Sequence, residues 1–170
     1  AVDTGMGRIG FIPSTDSADV IDRITRLPGV EVEGIFTHFA VADETGEEDI
    51  AYTRQQFALF EKMVEELAEK GYRFALRHCA NSGALARYPE MYLDMVRPGI
   101  ALYGVGEDAA RLGLRPVMAL KSSVSTIKIF DPATDISYGR TFHTEAKTRI
   151  GVLPIGYADG LFRGLSNRME

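Results

Sequence analysis

One cysteine, Cys79, stands alone in 170 residues, so no internal disulfide can form, and the chain fits a reducing compartment. Basic charge is also scarce. A net charge of -5 and a pI of about 5.3 leave no general attraction for nucleic acid or for an anionic membrane surface. No apolar run approaches the roughly 20 residues that a membrane span requires, and the polar opening Ala1-Val2-Asp3-Thr4-Gly5 does not read as a secretory leader. A cytoplasmic protein acting on a small molecule is the expectation. Histidine is sparse, and although His78 and Cys79 are adjacent, no second pair follows at ligand spacing, so a metal centre is not expected.

Apolar content, by contrast, is sufficient for a core, at 45% of residues. Residues 1 to 110 alternate short apolar runs with helical stripes, the pattern of βα units with parallel strands. Val20, Ile21, Ile24 and Leu27 predict a helix over Ser17 to Leu27, and Phe57, Phe60, Val64 and Leu67 predict a longer one between Asp49 and Lys70, stopped by Gly71. Strands are expected at Val32 to Phe39, Tyr72 to His78 and Met95 to Tyr103, with a short helix from Asn81 to Arg87. From 111 to 170 the period changes, with Gly104 to Arg115 as the connection. Val117 to Phe130 and Thr148 to Ile155 are rich in β-branched residues and are separated by turn signals. The expected architecture is therefore α/β: a partial parallel barrel of the TIM type over 1-110, then the beginning of a mainly-β domain over 111-170. About three βα units cannot close an eight-stranded barrel, so the chain reads as part of something larger.

Barrel enzymes place their chemistry just past the C-terminal ends of the strands. There the sequence offers Arg8, His38, Asn81 with Ser82, and Arg97 followed by Pro98, Gly99 and Ile100. Arg8 presents a planar fork for a carboxylate or phenolate, or is a surface arginine after a glycine turn. His38 is a buried hydrogen-bonded residue or a group that orients an arginine or phenol. Asn81 and Ser82 are ordinary helix caps or the mouth of an anion site. Arg97 either neutralises a ligand beside the bare backbone of Gly99 and Ile100 or pairs with Asp94 or another acid. Tyr157, between Gly156 and Ala158-Asp159-Gly160, is a packed tyrosine or a general base. The second role requires its phenol, ordinarily near pKa 10, to be favoured as phenolate. His143 reads as solvated.

In order and wording, five phrases resemble the alanine racemase family. They are Asp3-Thr4-Gly5-Met6-Gly7-Arg8, Thr37-His38-Phe39, His78-Cys79-Ala80-Asn81-Ser82, Arg97-Pro98-Gly99-Ile100-Ala101-Leu102-Tyr103-Gly104 and Gly156-Tyr157-Ala158-Asp159-Gly160. The resemblance implies a pyridoxal 5'-phosphate (PLP) isomerase with a barrel and a β domain. It would work as a homodimer that interconverts L- and D-alanine through a PLP aldimine by two-base proton transfer, supplying D-alanine for peptidoglycan. It implies Arg97 at the pyridine nitrogen, and Ser82, Gly99 and Ile100, with Asn81 beside them, at the phosphate. His38 would orient Arg97 and Tyr157, Arg8 would face the phenolic oxygen and substrate carboxylate, and Tyr157 would be the base for L-alanine in the partner subunit. The family's Schiff-base lysine stands in a segment reading Lys-Ala-Asn-Ala-Tyr-Gly, which has no match here. Lys62, Lys70, Lys121, Lys128 and Lys147 lie in helix-face or β contexts, and Ala1 stands where many members carry a carbamylated lysine. This implies an internal piece, inactive alone. A serine or broad-specificity racemase of the same plan, a non-catalytic PLP-binding barrel and a related decarboxylase are the alternatives. The residues after Arg115 disfavour the second, and the Gly156 to Gly160 wording disfavours the third.

Overall fold

The computed structural model describes residues 1–168 and divides into two compact units, Ala1–Met118 and Ala119–Glu170. No helix among the described residues is long and apolar enough to cross a membrane.

The first unit is built from parallel segments that climb in register. Val2 N–H donates to Phe36 O (2.8 Å), placing the opening segment beside strand β1 (Gly34–Phe36), and β1 pairs in parallel with β2 (Leu76–His78). Asp94 N–H to Arg77 O (3.0 Å) and Arg97 N–H to Ala80 O (2.9 Å) carry the same direction into a fourth segment. The strands are shorter than their apolar runs. Past β1, the backbone of His38 to Ala40 bonds to side chains from two helices instead of to a neighbouring strand, and a ladder ends where its groups find other partners. Nor do Met95 to Tyr103 form a strand: Pro98 has no N–H to give, and the chain turns at Gly99 into a 3-10 helix over Ile100–Tyr103.

Helix α1 (Thr15–Thr25) starts where Ser14 Oγ accepts from Ser17 N–H at 3.1 Å, an N-cap that satisfies an otherwise orphaned donor. It closes at Arg26, so Leu27 lies beyond the helix and is exposed rather than part of its buried face. Helix α2 (Glu47–Glu69) opens on Glu47, Glu48 and Asp49, acids that complement the positive end of the helix dipole. It buries Thr53, Gln56, Phe60, Met63 and Leu67 at steps of three and four, and Phe57 and Val64 sit at the margins of that face. Phe60, Met63 and Leu67 meet Val2, Ile21 and Ile35 in one core cluster. A second cluster joins Phe39, Cys79, Ala80, Ala84, Tyr88 and Met91 beneath helix α3 (Ser82–Arg87). The connecting stretch after Gly104 is not plain loop, since it holds helix α4 (Glu107–Arg111), tied to α3 by the ion pair Arg87–Asp108 (2.8 Å).

Among its described residues the second unit holds four short β-strands and three 3-10 turns. Strand β3 (Thr126–Phe130) pairs antiparallel with β6 (Thr148–Val152), and β4 (Asp135–Ile136) pairs with β5 (Phe142–His143). Residues 117 to 125 are not strand, although their composition predicts it. Exposed His143 is not simply solvated, because its Nδ1 pairs with the Asp135 carboxylate.

Candidate functional site

The first unit carries a cleft of about 550 Å³ at the C-terminal ends of its parallel segments, and the sequence-predicted His38, Asn81, Ser82, Arg97, Gly99 and Ile100 all line it. Asp43, Glu44 and the start of α4 line it as well.

Arg97 is the most constrained of these residues. One terminal nitrogen meets His78 Nδ1, and the other donates to Thr37 O (2.9 Å), Cys79 O (3.3 Å) and His38 Nδ1 (3.3 Å). The guanidinium also lies 5.4 Å from the centroid of the Phe36 ring, on which His78 stacks at 5.0 Å and 4°. Asp94 is not its counter-ion, since that carboxylate holds Arg77 at 2.9 Å, and among the described residues no acid pairs with Arg97. A guanidinium only donates, so both imidazoles must accept at Nδ1 and are held neutral. Burial followed by the Arg97 charge pushes both histidines below their ordinary value, and Arg8 adds to the effect on His38. Burial lowers Arg97 itself, while leaving it a cation. Its Nε–H has no partner among the described residues and remains able to donate to a neutral acceptor in the cleft.

At the other end of the cleft, two short helices begin. Asn81 Oδ1 caps α3 by accepting from Ala84 N–H (3.0 Å), while its Nδ2 donates to Phe39 O (3.2 Å). Ser82 Oγ accepts from Ala101 N–H at 3.2 Å, tying α3 to the 3-10 helix that starts at Ile100. First-turn N–H groups of a helix lack intrahelical partners, and two such ends side by side offer donors to an anion. Gly83 lets α3 pack against the backbone of Ala42 and Asp43, since a Cβ there would lie 2.6 Å from Asp43 N, and a Cβ on Gly99 would stand 4.0 Å from Ser82 Oγ. A slot with a lone N–H donor at one end and clustered backbone donors plus a hydroxyl at the other fits the pyridine nitrogen and phosphate of PLP.

Arg8 stands outside that lining. The carboxylate of Asp3 accepts from Gly5 and Gly7 N–H (3.1 and 3.0 Å) and shapes the loop that carries it. Its charge adds to the lowering of His38 and Arg97. Tyr157 belongs to the second unit, where it opens a 3-10 turn, is 68% exposed, and has the Arg163 guanidinium 5.9 Å from its ring centroid. His78 is the residue that sequence reasoning missed. Beside Cys79 it was weighed only as a metal ligand, whereas its place one strand over from Thr37-His38 is the signal that would have found it.

Comparison with known proteins agrees with this geometry. The family profile described as alanine racemase, N-terminal domain, matches residues 1–107, and that of the C-terminal domain matches residues 117–170. The alanine racemase of Desulforamulus reducens is 48% identical over 171 residues, covering 98% of this chain and 45% of that protein. The chain thus spans about half the length of the curated relatives it matches. Among solved structures, the alanine racemase from D-cycloserine-producing Streptomyces lavendulae superposes with a TM-score of 0.79 at 37% identity, over 98% of this chain and 44% of that one. That of Clostridium difficile 630 gives 0.77 at 43% identity, over 95% and 43%. The chain belongs to the alanine racemase family.

Proposed function

We propose that a protein of the relatives' full length containing this chain racemises alanine with PLP, as a homodimer that supplies D-alanine to peptidoglycan synthesis. In this reading residues 1-110 are part of a parallel barrel of the TIM type, and residues 111-170 open a β domain. The observation that carries it is the cleft itself, which Arg97, with no acid paired to it among the described residues, shares with Ser82, Gly99 and Ile100.

When bound, PLP supplies an electron sink that acidifies the substrate Cα–H. The chain's residues do the rest. Arg97, which keeps its proton, would hold the pyridine nitrogen as a donor and so moderate the sink. Ser82 Oγ, the backbone N–H groups of Gly99 and Ile100, and α3 as capped by Asn81 bind the phosphate. His38, neutral and 3.3 Å from Arg97, orients it. Arg8 takes the substrate carboxylate and the phenolic oxygen. Tyr157 removes the α-proton of L-alanine in the partner subunit's cleft. The base on the opposite face is a lysine of the family's Lys-Ala-Asn-Ala-Tyr-Gly segment, which is absent from this sequence.

Tyr157→Phe in the full-length protein is expected to lower D-alanine formation from L-alanine by about a hundredfold or more, with PLP still bound, as removal of a positioned base does. A chiral assay of the product checks this. Undiminished turnover would remove Tyr157 from the mechanism.

A further inference from the structure

The two loops that carry Arg8 and His38 do not belong to regular structure, yet both are fastened to the same side of α2. Gln56, fully buried at the centre of that helix, spends its whole side-chain amide on them. Its Oε1 accepts from Ala40 N–H at 3.0 Å, and its Nε2 donates to His38 O at 3.2 Å and to Thr4 Oγ1 at 3.4 Å. Thr4 Oγ1 is itself bonded to Thr37 Oγ1 at 2.7 Å, one residue before His38. One turn earlier on α2, Tyr52 Oη donates to Gly5 O at 2.8 Å. Gly5 has a φ of +138°, and a Cβ there would fall 2.3 Å from Tyr52 Oη, so the phenol and the loop are fitted to each other.

A buried amide with every group used is a costly element to leave half-satisfied, and a side chain that pairs with both the N–H and the C=O of a neighbouring loop acts as a short stretch of strand. We propose that Gln56, seconded by Tyr52, is a positioning clamp that fixes the His38 loop and the Arg8 loop to each other and to α2, and so sets where the His38 imidazole and the Arg8 guanidinium stand at the cleft. What those two groups do there rests on the racemase reading; that they are held in place by Gln56 does not.

The clamp gives His38 a defined environment. Arg97 lies at 3.3 Å, Arg8 is close enough for its charge to be felt, and Asp43 and Glu44 line the same cleft. Gln56→Leu keeps the volume nearly constant but frees His38 O and Ala40 N–H to seek water, which lets the ring drift from Arg97 and take up solvent. Both changes raise its titration midpoint toward the ordinary histidine value of 6.5.

The test is made on the 170-residue chain without cofactor or substrate. The Cε1–H resonance of His38 is followed by NMR against pH in the parent and in Gln56→Leu, at a temperature well below the melting transition of both, each shown to melt cooperatively. A rise of about half a pH unit or more in the variant is expected. A folded variant with an unmoved midpoint overturns the clamp, because a residue that only stabilises α2 would lower the melting temperature and leave His38 unchanged. Should Gln56→Leu fail to fold, amide exchange in the parent decides. Ala40 lies outside every helix and strand, and its N–H is expected to exchange about a hundredfold more slowly than in an unstructured chain. Unprotected exchange overturns the proposal. Neither readout involves PLP or alanine, so a failed clamp leaves the racemase reading standing, and a failed racemase reading leaves the clamp.

Discussion

His38 and His78 show how much one cation imposes on its neighbours. Each must stay neutral to accept from Arg97, and each is pushed below the ordinary histidine value of 6.5, first by burial and then by that charge. Above 6.5 both the folded and the unfolded chain hold these rings neutral, so they make stability independent of pH there. As pH falls through 6.5, the unfolded chain binds protons that the folded chain refuses, and stability drops. Urea midpoints are therefore expected to fall between about pH 7.5 and pH 5.5, and the slope to shrink in His38→Asn/His78→Asn; an unchanged slope would mean that neither ring is held neutral. Cys79 makes a second residue-scale case. Burial pushes its thiol up to about 12, and its Sγ donates to Met91 O at 3.1 Å, so it is a core thiol, not a nucleophile. A thiol reagent is expected to label it only after unfolding, and rapid labelling of the native chain would contradict its place in the core. Arg97, His38 and Ser82 were legible in the sequence as polar residues just past strand runs, and all three line the cleft. Gln56 was not, since a glutamine amid a helix's apolar stripe carries no sign of which backbone groups it will meet.

Helices and strands were legible to different depths for a physical reason. Helix α2 satisfies its own backbone, so its three-and-four periodicity located it within two residues at its start and one at its end. A strand needs a partner that the sequence does not name. The runs Val32 to Phe39 and Tyr72 to His78 contain β1 and β2 but continue into segments whose groups bond to side chains or turns. Pro98 and Gly99 made the stretch after Arg97 a helical turn, and that turn brings Ile100 N–H to the cleft. Close approach of elements also depends on glycine. Gly83→Val would drive a side chain into the backbone at Ala42 and Asp43, pushing α3 from its seat and with it the Ser82 hydroxyl. The expected result is a lower melting temperature together with about tenfold or greater loss of PLP affinity, read by absorbance titration. Parent-like affinity would show that α3 does not shape the phosphate end.

At the scale of the molecule, the two units are unequally buried. Core clusters run through residues 1–118, whereas among described residues 119–168 only Thr144 is buried, and Ile127, Ile129, Val152 and Phe162 are exposed. Two-stranded pairings without a buried face are marginal in water. Hydrogen exchange of this chain is expected to show protected amides in α2, β1 and β2 and little protection in β3 and β6; equal protection would contradict the imbalance. The family was legible because its five phrases occur in the family's order along the chain, whereas the Lys-Ala-Asn-Ala-Tyr-Gly segment has no match in this sequence. The central claim is that this cleft holds PLP between Arg97 and the Ser82–Gly99–Ile100 slot. Its most direct test is an amide and arginine side-chain NMR map of the chain titrated with PLP. The account predicts that the largest shifts fall on Ser82, Gly83, Gly99, Ile100 and the Arg97 Nε–H. Saturable shifts confined to other residues, or none at these five, would contradict it.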